Sequence, residues 1–142
     1  MTLSHPIEPV LHLVKLKDLR PTQMTVGMRE VERKRALWRD RERSGAGEFL
    51  GAHMIPAVLG PDGHHWLVDH HHLALALHLE GVEDILVTLV VKLERLPKKR
   101  FLAYMDARNW LHPYDEHGRR RDWKDLPRHL GKLADASCRF HA

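Results

Sequence analysis

The stretch "GPDGHHWLVDHHHLALAL", Gly60–Leu77, decides how the whole chain is read. Five histidines fall between His64 and His72 and run straight into an aliphatic row. Two periodicities meet there. Up to Asp69 the residues alternate as in a strand, with His65, Leu67 and Asp69 on one face and His64, Trp66 and Val68 on the other. Beyond it Leu73, Ala76 and Leu77 recur at helical spacing, which predicts a helix starting at or near His70–His72. "GPDG" is a turn signal, and the apolar Met54–Leu59 before it supplies the first arm of a hairpin.

Working outward, "PVLHLVKL" (Pro9–Leu16) alternates as a strand, with Val10, His12 and Val14 pointing one way. "KDLRPTQ" reads as a loop, its backbone restricted at Pro21. A helix is predicted over Gly27–Arg43, with Met28, Val31 and Trp38 as a narrow apolar stripe and a predominantly basic surface. Ser44–Gly51 reads as a flexible connection. Downstream, the junction helix should stop at Gly81. The β-branched run Asp84–Leu93 predicts a buried central strand. Pro97–Leu111 predicts a helix with Pro97 in its first turn, and "KDLPRHLGKLADA" a last short one after a polar loop. The order β-α-β-β-α-β-α-α predicts an α+β fold: a small mixed β-sheet with helical cover. A single domain is expected over residues 1–142, with its core at about 9–111 and a helical tail at about 112–142.

At 142 residues and 43% apolar content the chain can bury one real core. No run reaches the roughly 18–20 apolar residues of a membrane span, and no secretory signal pattern opens the chain. A cytoplasmic protein with no membrane partner is expected. Cys138, the single cysteine, has no internal disulfide partner and no base beside it, so it reads as an inert thiol. The net charge of +4 suits a phosphate or nucleic-acid partner without demanding one.

At the junction, Asp69 is placed to cap the following helix, accepting a backbone N–H in its first turn. The helix start offers free N–H groups and a positive dipole end, which favour anions and disfavour imidazolium. His70, His71 and His72 should therefore be neutral, able to donate to phosphate, accept a proton or ligate a metal. Three readings stay open on spacing alone. The histidines are packing residues; or Asp69 and His72 hold a transition metal; or the helix start binds phosphate.

"IPAVLGPDGHHWLVDHHHLALAL" resembles the central hairpin and helix of the ParB/sulfiredoxin superfamily, and "VKLKDLRPTQMTVG" resembles its opening strand and loop. "DWKDLPRHLGKLADASCRFHA" is similar to the tail of the branch called ParB-like nucleases. Asp69, His71 and His72 match the motif's Asp and polar positions, and Ala76 and Leu77 its apolar end. The resemblance implies recognition of a nucleotide or another phosphate-bearing small molecule around Asp69–His72, with Gln23 and Thr25 lining the cleft. It implies phosphoryl transfer or phosphodiester cleavage with a divalent metal, Mg²⁺ or Zn²⁺. Glu30, or Glu32, would be the base, and His71 and His72 would contact phosphate or move protons. Two departures stand out: His70 occupies the motif's Gly position and Leu73 its Arg position, which leaves Arg20 or Arg29 as substitute phosphate ligands. Sulfiredoxin's active Cys has no counterpart. The alternative reading is a non-enzymatic DNA-associated module binding nucleic acid through Arg29–Arg43 and Gly118–Arg121.

Overall fold

Alternating residues make the first strand, β1 (Val10–Lys15), which a three-residue 3-10 turn, Leu16–Asp18, joins to β2 (Leu19–Arg20). The computed structural model describes residues 10–52 and 55–136. Then follow β3 (Thr25–Val26), α1 (Met28–Ala52), β4 (Ile55–Leu59), β5 (His65–Leu67), α2 (His71–Leu79), β6 (Asp84–Lys92), α3 (Lys98–Ala107) and β7 (Ala134–Asp135). The fold is α+β, with a mixed sheet under helices, as the order of elements predicts.

Five strands form the main sheet in the order β1-β6-β4-β5-β2. β6 runs antiparallel to β1 and parallel to β4, while β5 runs antiparallel to β4 and parallel to β2. The two edge strands, β1 and β2, are thus neighbours in sequence. In a flat sheet four strand spacings of about 4.8 Å would hold them about 19 Å apart. A short 3-10 turn spans well under that distance. The sheet must curl until its edges approach, and His12 of β1 meets His65 of β5 with ring nitrogens 3.0 Å apart.

Alternation sorts the core into two. Ile55, Ala57, Leu67, Ile85 and Val87 face α2 and α1, packing with Leu73, Ala74, Leu77, Val31 and Trp38. The intervening Val58 and Trp66 point the other way, onto Phe101, Leu102 and Met105 of α3. α2 ends as expected: Gly81 takes φ +82°, Val82 N–H donates to Leu77 O and Gly81 N–H to His78 O, a Schellman stop.

Several expectations are corrected. Ser44–Gly51 is no loop: α1 continues through it to Ala52, because its three glycines cost helix propensity without the steric veto of a proline. β6 lies inside the sheet, yet only Ile85, Val87 and Leu89 are buried and Val90 is exposed, so one face carries its burial. The third helix stops at Ala107, where Arg108 closes it and Asn109 turns to φ 60°. The last segment is two 3-10 turns, Trp123–Asp125 and Leu130–Lys132, followed by β7, which pairs in parallel with β3. Cys138 lies outside the described residues. Among those described, no helix is long and apolar enough to cross a membrane.

Candidate functional site

The histidine junction holds the chain's own backbone. His71 is buried, and its Nε2 accepts the N–H of Thr22 at 3.0 Å. Thr22 Oγ1, 3.3 Å from the same nitrogen, donates to Leu67 O at 2.6 Å. His72 repeats the arrangement, its Nε2 accepting the N–H of Gly27 at 3.0 Å. A nitrogen that accepts is unprotonated, so both rings are neutral with the proton on Nδ1. Burial pushes His71 down to about 3, and burial also lowers His72, against the pull of Glu30. Two adjacent side chains in the first turn of α2 therefore clamp both ends of the loop carrying β3.

His70, not Asp69, occupies the N-cap position, in the left-handed region at φ 66°, and no side chain caps the helix. Asp69 Oδ1 accepts the N–H of His70 itself at 2.7 Å, so the capping expectation fails by one residue. Leu73, at the motif's Arg position, points into the core at 3% exposure. Glu30 is paired with Arg33 at 3.1 Å and Lys34 at 3.5 Å, and Gln23 Nε2 donates to Thr25 O at 2.7 Å. Among the described residues no three His, Cys, Asp or Glu side chains gather around a common point that would hold an ion. With His72 Nε2 and one Asp69 oxygen engaged by backbone N–H groups, this donor set does not fit a zinc centre.

Arg20 lies elsewhere, and its surroundings differ. Parallel pairing of β2 with β5 sets Arg20 beside Trp66, and the guanidinium stacks 4.8 Å from the indole centroid. Arg20 Nε and Trp66 Nε1 are buried without a hydrogen-bond partner, and Trp66 is only 4% exposed. Burial, and then the Arg128 guanidinium, lower the Arg20 pKa. Both arginines line a hollow of about 200 Å³ with Trp66, Lys98 and Trp123, a smaller one of about 110 Å³ with His64, and a cleft of about 700 Å³ on the β1 side. Of the candidate phosphate ligands and catalytic residues marked in the sequence, only Arg20 stands in this groove, beside His64 of the histidine run. Trp66, Lys98 and Arg128 were not singled out, and the long-range pairing that gathers them leaves no local signal.

The basic surfaces of the alternative reading are largely engaged internally. Arg35 and Arg39 converge on Glu80 at 2.7 and 2.8 Å. Arg120 meets Tyr114 and Asp106, and Arg121 meets Asp115 and Asp125.

A family model described as "Putative ParB-like nuclease" matches residues 12–140. The chain belongs to this ParB-like family. The crystal structure of protein Atu1540 from Agrobacterium tumefaciens is similar to the ParB-like chain at 45% identity with a TM-score of 0.81. The match covers 90% of this chain and 63% of that one, so the ParB-like chain spans less than two thirds of its relative. No curated protein matches it.

Proposed function

We propose that this ParB-like domain binds the phosphodiester backbone of a nucleic-acid strand in the groove formed by Arg20, Trp66, Lys98 and Arg128. One observation carries the reading: two adjacent buried donors, Arg20 Nε and Trp66 Nε1, lack acceptors beside a second arginine. An unsatisfied buried donor costs about 1–3 kcal/mol, and an anionic oxygen would offset that cost while relieving the Arg20–Arg128 repulsion. The half-buried Trp123 among these cations suits a strand with accessible bases. The family's description as nuclease-like favours nucleic acid over a free nucleotide. Hydrolysis of the bound diester is the reaction class that description suggests.

Anisotropy titration of a labelled single-stranded oligodeoxynucleotide over a range of salt tests this. Arg128→Ala should weaken binding and reduce the salt slope by about one, and Arg20→Ala should weaken it more. Wild-type affinity in both variants refutes the groove. Incubating the strand with and without Mg²⁺ or Zn²⁺ separates cleavage from binding. CTP or ATP as competitor separates strand from nucleotide.

A further inference from the structure

Across Arg20 and Arg128 the groove opens into the cleft of about 700 Å³, where Lys15, Lys17, His64, His65 and His129 face one acid, Asp18. His65 is backed by His12, whose Nδ1 lies 3.0 Å from His65 Nε2, the rings meeting edge to face at 72°. This pair closes the curl of the sheet. One nitrogen must donate to the other, so the neutral pair holds a single proton between its rings. One further proton would convert that contact into a charge-assisted bond. Two would oppose N–H groups at 3.0 Å, so in this geometry the pair takes up one proton as a unit.

The charged groups around the pair are mostly basic, with Asp18 in the cleft and Asp84 of β6, which pairs with Lys15 at 3.8 Å, as the acids facing them. Lys15 comes from β1, Lys17 with Asp18 from the 3-10 turn, Arg20 from β2, His64 from the hairpin turn, and Arg128 with His129 from the C-terminal loop. Lys92 of β6 sits opposite Leu59, which in turn pairs with His65. Burial, then His12 and His64, lower the His65 pKa, so the cleft's own groups disfavour the extra proton. An oxyanion in the cleft reverses that balance.

We infer that the cleft binds an oxyanion together with one proton, which the His12–His65 pair holds. This rests on the phosphate-binding reading above but concerns the other side of the Arg20–Arg128 wall. Sulfate and phosphodiesters do not titrate near neutrality, so proton uptake with them belongs to the protein.

The test is calorimetric titration of sulfate, and of the same oligodeoxynucleotide, into the full chain in two buffers of different ionisation enthalpy. Uptake approaching one proton per oxyanion is expected, with affinity rising up to about tenfold per pH unit as pH falls. His12→Phe and His65→Phe should abolish the uptake. Histidine side-chain NMR of the unmutated protein supplies a fold-independent check: both rings should titrate in one shared step that sulfate moves upward. If the oligonucleotide binds through Arg20 with no proton uptake and sulfate moves neither ring, the pair is only packing: the inference fails and the groove reading survives. If sulfate binds with uptake while the oligonucleotide does not bind, the groove reading fails and the inference stands. Binding of neither overturns both.

Discussion

His71 Nε2 accepts the buried backbone N–H of Thr22 at 3.0 Å, so the most conspicuous motif of the chain is spent on its own backbone. This relationship makes stability depend on a neutral imidazole. The folded-state pKa of about 3 lies below the ordinary value of 6.5. The unfolded state therefore binds more protons between those values. The resulting stability is complete above pH 6.5 and is lost as pH falls from there toward about 3. Unfolding titrations across this window should show a slope of up to about 1.4 kcal/mol per pH unit from His71. His71→Phe should remove that component and cost about 1–3 kcal/mol through the orphaned Thr22 donor.

His72 holds Gly27 from a half-buried position, so its loss should act locally. In His72→Ala, amide exchange at Gly27 should accelerate while Thr22 stays protected. Equal acceleration at both amides would show that the two clamps open as one.

His70 sits at φ 66° where the related motif carries glycine. A left-handed conformation costs a non-glycine residue about 1–2 kcal/mol, and glycine's larger unfolded-state entropy returns part of it. His70→Gly should therefore raise stability, by up to about 1 kcal/mol in denaturant unfolding. A loss of stability would mean that the imidazole makes a compensating contact.

Gly60 touches the floor of the groove. A Cβ there would lie 2.7 Å from Trp66 Nε1 and 2.9 Å from Phe101 Cζ. Gly60→Ala should cost about 1–3 kcal/mol by overpacking. It should also weaken oligonucleotide binding, because Trp66, on which Arg20 stacks, must shift.

Glu80 receives both Arg35 and Arg39, tying α1 to the end of α2. Glu80→Gln should lower the thermal midpoint by roughly a few degrees at low salt. The difference from wild type should shrink as salt rises, since Arg39 is half exposed. A salt-independent difference would point to hydrogen bonding as the dominant contribution.

The local elements were legible where one periodicity governed. The hairpin, α2 with its Gly81 stop, and β1 all follow from spacing within a few residues. The two-residue strands β2 and β3 have no period to read, since each exists only through a distant partner, His65–Trp66 or Ala134–Asp135. The same reason hid the groove. Arg20 was marked as a substitute ligand, whereas its neighbours Trp66 and Arg128 come from other ends of the fold. At the junction the sequence suggested neutral histidines through the helix dipole, but neutrality here comes chiefly from burial and from accepting two backbone N–H groups.

The curl that brings β1 beside β2 also imposes an order of assembly. During synthesis β1 emerges first, yet its pairing partner β6 follows only after α1, the hairpin and α2. At the usual pace of a few residues to tens of residues per second, the leading strand waits for seconds with Val14, buried in the finished core, still uncovered. β4, β5, α2 and β6 are contiguous and can assemble together, offering at β6 the edge onto which β1 closes. β1 thus leaves the ribosome well before the strand it pairs with and can complete its pairing only once β6 has emerged, a span during which a chaperone has the most to shield.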